Sequence, residues 1–257
     1  MAADHAAALA VTAALCVAVV LLGPRPSETT DERTRLLSRA FAAFLLAWFL
    51  AYPVVVLAQG SYELDFDLPL HLTDAVTVVS AVALWTWRPL PFELAWFWGL
   101  TASALAILTP DLGADDRFPS FFYWHYFVTH GGVVVAAMFL GVGVGLTARP
   151  GAVQRVLVLT AAWAALAALG NALTGGNYMF LREKPDAATL LDYLGPWPWY
   201  IVTAALVTLV MFAALDVPFR RRRAGVAALN QARGLSPPAR SRPRSAAGPP
   251  GSPSRGR

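Results

Sequence analysis

The chain has 257 residues, of which 57% are hydrophobic and only 14% charged, with a formal net charge of +4. A soluble domain carries roughly 25% charged residues, so this composition excludes an ordinary water-soluble globule. The positive charge is local: ten arginines and no acid follow Phe219, and the remainder is net acidic. Outside that tail there is no basic surface for nucleic acid, and no nucleic-acid partner is expected.

Apolar runs of about 20 residues recur, the length needed to cross roughly 30 Å of hydrocarbon. In chain order the candidate spans are about 5–23, 36–58, 68–87, 91–109, 120–147, 153–173 and 197–217. Membranes admit helices and closed barrels, and these runs lack the alternation of barrel strands. The expected fold is all-α, a polytopic integral membrane bundle of seven transmembrane helices. Asp4 and His5 precede the first run with no basic segment, which argues against a cleaved signal peptide. Cys16, the sole cysteine, lies in that run and reads as a small buried hydrophobe. Pro53 lies inside the second run and is expected to kink it. Pro89 and Pro91 mark a tight third connection, and Pro196 and Pro198 open the last span.

Charge orients these spans. Arg25, Arg33, Arg35, Arg39, Arg88, Arg149, Arg155 and the ten arginines of the tail fall on one side; Arg117, Arg182 and Lys184 fall on the other. Basic residues stay cytoplasmic, which predicts an outer N-terminus, a cytoplasmic C-terminus and a multi-pass protein of the cell membrane. The outer loops are then acidic, with Glu63, Asp65, Asp67, Asp111, Asp115, Asp116, Glu183, Asp186 and Asp192. Aromatics at 121–124 and at Trp197, Trp199 and Tyr200 read as interfacial belts. Residues 1–223 form the expected membrane domain, closed by the Arg220–Arg223 stop. Residues 224–257 read as a disordered basic cytoplasmic tail rich in Pro, Arg and Ser.

Ionisable groups inside spans are costly and are functional candidates by default. The third span opens Leu68-Pro69-Leu70-His71-Leu72-Thr73-Asp74. His71 and Asp74 share a helix face, and Asp74, about 10 Å below the surface, needs a partner that His71 can be. Thr73 points nearly the opposite way and needs a His from another helix. The fifth span supplies His130, with Tyr126 one turn above it and Gly131 and Gly132 beside it, admitting a second helix or a lipid chain. His125 lies off that face. Asp111, Asn177 and Arg182 stand in outer loops and, with Tyr126, are the candidate substrate-binding residues. The alternative for the sixth loop is a packed lid held by Arg182 and Lys184 salt bridges. Glu93 and Asp216 at inner ends are expected to be solvated or paired with basic neighbours, and Asn171 to bond helix to helix. No metal signature, phosphate loop, dinucleotide fingerprint or nucleophile elbow is present. No metal and no cofactor is expected, with a His71–His130–Asp74 metal site the one arrangement left open.

"LPLHLTD" at 68–74, "LTPDL" at 108–112, His130, "NYMFLREKP" at 177–185 and "LDYLGPWPWY" at 191–200 resemble the YwaF-like family of bacterial integral membrane proteins, in the same order over most of 36–217. More distantly the chain is similar to a vertebrate acyltransferase that remodels ether phospholipids and to androgen-induced membrane hydrolases of fatty-acid esters of hydroxy fatty acids. That resemblance implies an intramembrane nucleophile, Cys in the first and Thr in the second, together with a His, which falls on His130. The acyltransferase Cys falls on Leu70, which cannot attack. Thr73, three residues on and on the same expected face, is the substitute nucleophile. Asp74 or Tyr126 would orient the imidazole or polarise a carbonyl, and membrane lipids would be the partners. The oligomeric state stays open.

Three function classes remain. One is a lipid acyltransferase or lipid ester hydrolase with an outer-leaflet Thr/His site. A second is a non-catalytic lipid-binding or sensing protein, in which His71, Thr73, Asp74 and His130 form only a polar lock, worth about 1 kcal/mol per bond. A third, a small-solute transporter, is disfavoured: the inner half offers chiefly Glu93 and Thr101, without a broken helix or inverted repeat.

Overall fold

The computed structural model describes residues 3–23, 32–113 and 116–233, and among them every regular element is helical. Arg25, Asp115 and tail residues 234–257 lie outside the described residues. Seven principal helices follow in order: α1 (Ala3–Leu22), α2 (Glu32–Gln59), α3 (Leu72–Thr86), α4 (Pro89–Leu108), α5 (Phe121–Gly143), α6 (Ala152–Thr174) and α7 (Trp199–Ala232). Six of these are long and apolar enough to cross a membrane. The exception, α3, has 15 residues, about 22 Å at 1.5 Å per residue.

The expected third span at 68–87 is thus shortened at its start. Leu68–Leu70 form a turn, with the Leu70 N–H donating to the Leu68 carbonyl at 2.7 Å. The helix begins where Asp74 reaches back, its Oδ2 accepting the His71 N–H at 2.9 Å. This is half of a capping box, in which the carboxylate satisfies a donor at the helix start. Pro69 therefore precedes the helix. At the far end Trp87 turns left-handed (φ 53°) and Pro89 opens α4 directly, giving the tight connection the prolines predicted. Trp87 is held there by its indole N–H on Ser38 Oγ (3.0 Å), while Ser38 donates to the Leu84 carbonyl. Pro53 sits within α2 without ending it.

Two π-helical segments, Gly99–Ser103 in α4 and Phe139–Gly143 in α5, were not anticipated. Each contains a glycine against which the other helix packs. A Cβ on Gly99 would lie 2.9 Å from Val133 Cγ1, and one on Gly141 2.2 Å from Trp96 Cζ3. The core fills with Leu45, Val76, Leu84, Phe92, Phe97, Val133, Leu140 and Val156, drawn from α2 to α6. By contrast α1 buries no residue, although it lies on α5 beside Tyr123 and Phe127. Cys16 is accordingly half-buried rather than buried. Val11, Leu15, Leu50, Val54, Leu169, Leu173, Leu206 and Val210 face outward, as apolar side chains do where lipid is the solvent.

The chain divides into two units, Met1–Phe219 and Arg220–Arg257. Helix α7 runs on to Ala232, so 224–232 are helical where an irregular tail was expected. The run Ala-Gly-Val-Ala-Ala-Leu-Asn-Gln-Ala is rich in helix formers, chiefly Ala, with Leu and Gln. In the first unit, loop residues 60–71, 109–113, 116–120 and 175–198 gather at one end, called the acidic end below; loops 87–88 and 144–151 lie at the basic end.

Candidate functional site

Thr73 is the second residue of α3, and His130 lies in the third turn of α5. The bundle brings them together: Thr73 Oγ1 is 3.0 Å from His130 Nε2. The other ring nitrogen, Nδ1, is 2.8 Å from the Tyr126 carbonyl one turn earlier on the same helix. A carbonyl only accepts, so Nδ1 carries the proton and Nε2 of the neutral ring is an acceptor. The Thr73 hydroxyl therefore donates to Nε2. His130 is buried, Thr73 partly exposed. The Tyr126 ring stacks on the imidazole at 4.2 Å between centroids, which fixes its plane.

Glycines at 131 and 132 allow this arrangement. A Cβ on Gly131 would lie 2.7 Å from Thr12 Oγ1 of α1, and one on Gly132 2.7 Å from Leu45 Cδ2 of α2. Of the two visitors expected there, helix or lipid chain, it is helices that occupy the space.

His71 and Asp74 do not join this pair as expected. Asp74 bonds the backbone N–H of His71, not its imidazole. The imidazole turns away from Thr73 to the loop after α6: Nδ1 accepts the Met179 N–H at 3.4 Å, and the ring meets Tyr178 edge-on at 5.3 Å. Leu70 was expected to share a face with Thr73. Because the helix starts only at Leu72, that periodicity does not apply, and Leu70 packs toward α6, its Cδ1 2.3 Å from a Cβ built on Gly170. His125 faces α2, stacked on Phe121 and tilted on Tyr52. No three His, Cys, Asp or Glu groups converge for a metal among the described residues.

The four candidate substrate-binding residues separate clearly. The Tyr126 hydroxyl donates to the Ala106 carbonyl at 2.9 Å. Asp111 Oδ1 accepts the Ala187 N–H at 3.4 Å, and burial pushes its carboxyl above the ordinary carboxylate range. Asn177 Oδ1 accepts the Arg182 and Glu183 N–H groups, and its amide donates to the Glu183 carbonyl. Tyr126 and Asn177 spend their polar side-chain atoms on the protein, and Asp111 one carboxylate oxygen. Arg182 spends one nitrogen: Nη1 donates to the Gly175 and Gly176 carbonyls.

The lid is held by carbonyl bonds rather than by the expected salt bridges. Lys184 donates to the Asp192 carbonyl and lies over the Tyr200 ring. Tyr200 donates to the Phe180 carbonyl. Asn171 bonds the loop, not a helix: it accepts the Tyr178 N–H at 2.6 Å and donates to the Tyr178 carbonyl at 3.1 Å. Tyr178, fully buried, reaches under loop 60–71 and donates to the Leu64 carbonyl. Sequence reasoning missed Tyr178; its signal was an aromatic inside a Gly-Gly-Asn turn.

At the basic end Glu93 is fully buried and paired, one of the two outcomes expected for it. Its carboxylate accepts from Arg149 N, Nε and Nη2 and from Arg155 Nε and Nη2, at 2.9–3.2 Å. Those bonds hold the Arg149 guanidinium further above its ordinary value.

Among known proteins, the chain is similar to an uncharacterised protein of Treponema pallidum (strain Nichols), 29% identical over 164 residues. The match covers 62% of this chain and 65% of that protein, just under two thirds of its length. No solved structure matches. The model of the TMEM164 family matches residues 1–216, and the chain belongs to that family.

Proposed function

We propose that this membrane protein is a lipid acyltransferase or lipid ester hydrolase, with Thr73 as nucleophile and His130 as general base. The observation that carries this reading is the Thr73 Oγ1–His130 Nε2 contact of 3.0 Å, in a tautomer set by the Tyr126 carbonyl. A hydroxyl nucleophile needs a base within hydrogen-bond reach that is itself oriented by a third group, and here a backbone carbonyl is the orienting group. Nε2 takes the Thr73 proton as Oγ1 attacks the ester carbonyl of a lipid. The tetrahedral intermediate then collapses, and the leaving alkoxide takes the proton back from Nε2. Acyl-Thr73 passes its acyl group to water or to a second lipid hydroxyl by the same steps reversed. The N–H groups of Leu72 and Thr73, in the first turn of α3, have no intrahelical acceptor and offer donors to the developing oxyanion.

Placement supports a lipid ester as substrate. Thr73 lies within one turn of its helix start, near the membrane boundary where ester carbonyls lie. With basic residues retained in the cytoplasm, the acidic end faces the outer leaflet of the cell membrane, and α3 completes a seven-helix bundle. The motif resemblance to the YwaF-like proteins belongs to the same reading. The orientation of Leu70 toward Gly170 favours Thr73 over residue 70 as nucleophile.

The test is acyl release and transfer from labelled phospholipids in nanodiscs. Turnover by the wild type, lost in His130→Ala and Thr73→Ala while both variants remain folded, is expected. A wild type inert across lipid classes, with both variants merely melting earlier, refutes the enzyme and leaves a polar lock.

A further inference from the structure

Between the C-terminal half of α6 and the loop that follows lies a cleft of about 430 Å³, lined by Ala168, Asn171, Ala172, Gly175, Leu181 and Arg182. The size falls in the range of small-molecule sites. Its floor, Ala168 and Ala172, is one turn apart on an outward face, flanked by Leu169 (55% exposed) and Leu173 (78% exposed). The cleft is therefore continuous with the lipid-facing surface of α6.

Arg182 stands at its upper end. Its Nη1 holds the carbonyls of Gly175 and Gly176, while among the described residues Nε and Nη2 have no hydrogen-bond partner and no carboxylate forms an ion pair with it. The backbone that carries this side chain is held from several sides. The Arg182 N–H is on Asn177 Oδ1 (3.0 Å), Asn171 grips both backbone groups of Tyr178, and Tyr200 holds the Phe180 carbonyl. A pre-positioned cation with spare planar donors suits phosphate oxygens, which accept from Arg two at a time.

The geometry points to a glycerophospholipid as the occupant of this cleft, its phosphodiester on Arg182 Nε and Nη2 and its glycerol and first methylenes over Ala172 and Ala168. Charge and polarity match in sequence along the cleft: cation first, then small apolar side chains, then open lipid surface. A soluble anion would leave the apolar floor wet, and a neutral glyceride would leave the cation bare. The site rests on the placement of the acidic end at head-group level given above, but not on Thr73 being reactive.

Native mass spectrometry of the full chain carrying Thr73→Ala, so that turnover plays no part, tests this. The protein is released from micelles doped with phosphatidylglycerol or with diacylglycerol. One retained phosphatidylglycerol per chain, without matching diacylglycerol, is expected. Arg182→Gln removes a charge-assisted contact, so retention should fall about tenfold or more, with Arg182→Lys intermediate. Ala172→Phe fills the floor without touching the arginine and should lower retention comparably with unchanged melting, which guards against misfolding of the Arg182 variants. Equal retention of the two lipids overturns the proposal, as does full retention in Ala172→Phe or displacement by millimolar inorganic phosphate. Retention with an inert wild-type enzyme keeps this site while refuting catalysis.

Discussion

Glu93→Gln is the sharpest probe of how this bundle is held together. The wild-type carboxylate is fully buried and accepts five hydrogen bonds, three on Oε1 and two on Oε2. An amide keeps one acceptor and turns the other into a donor. With Nε2 in the place of Oε2, the Arg149 Nη2 and Arg155 Nε bonds become donor-against-donor contacts. Two lost charge-assisted bonds, each worth about 1.5–3 kcal/mol, set an upper range of roughly 3–6 kcal/mol. The arginine side chains are 45% and 37% exposed, so water recovers part of this, and the lower end, about 3 kcal/mol, is expected. At about 2–4 °C per kcal/mol for a chain of this size, melting in nanodiscs should fall by roughly 6–12 °C, read by tryptophan fluorescence. Arg149→Ala should cost less, because Arg155 still covers the carboxylate. A Glu93→Gln melting point within about 2 °C of wild type would mean that the charge contributes nothing, and the reasoning would fail.

Other outcomes follow from single contacts. Gly141→Ala places a Cβ 2.2 Å from the buried Trp96 ring and should destabilise by about 1–3 kcal/mol as overpacking, checked by the same melt; no change would show that the π segment yields. In a Cys16→Ala background, Thr73→Cys should be alkylated faster than Leu70→Cys, with the excess abolished by His130→Ala, because only position 73 faces the imidazole; equal rates would refute that placement. Thr73→Val leaves Nε2 buried without its donor and should cost about 1–3 kcal/mol; a variant as stable as wild type would show the bond to be weak. The Asp111 carboxyl is raised in the folded protein by burial, so its contribution is present at low pH and lost as pH rises through the folded value. Asp111→Asn should therefore gain stability relative to wild type between pH 4 and pH 7; a constant difference across that range would refute the shift.

Much of the bundle was legible because membrane helices are marked by uninterrupted apolar length. The limits of α2, α4 and α6 differ from expectation by a few residues. The start of α3 was not legible, because a run of apolar residues does not reveal where the helix begins. Asp74 bonding the His71 N–H decides that locally, and it moved Leu70 off the Thr73 face. The π segments escaped notice because they answer packing against the opposite helix at Gly99 and Gly141, which no local pattern records.

The sequence by itself determined the helical membrane character, the separation of basic from acidic loops, and the short list of polar residues in apolar runs. Those properties follow from composition along one dimension, where length and charge suffice. Only the tertiary structure decided which of those residues meet. Thr73 and His130 are 57 positions apart, and their contact depends on α1 and α2 fitting against Gly131 and Gly132. His71, Asp74, Asn177 and Asp111 were assigned elsewhere, because each found a backbone group to bond. Buried polar groups take whichever partner the fold brings within about 3 Å, and that distance is set by packing, not by order along the chain.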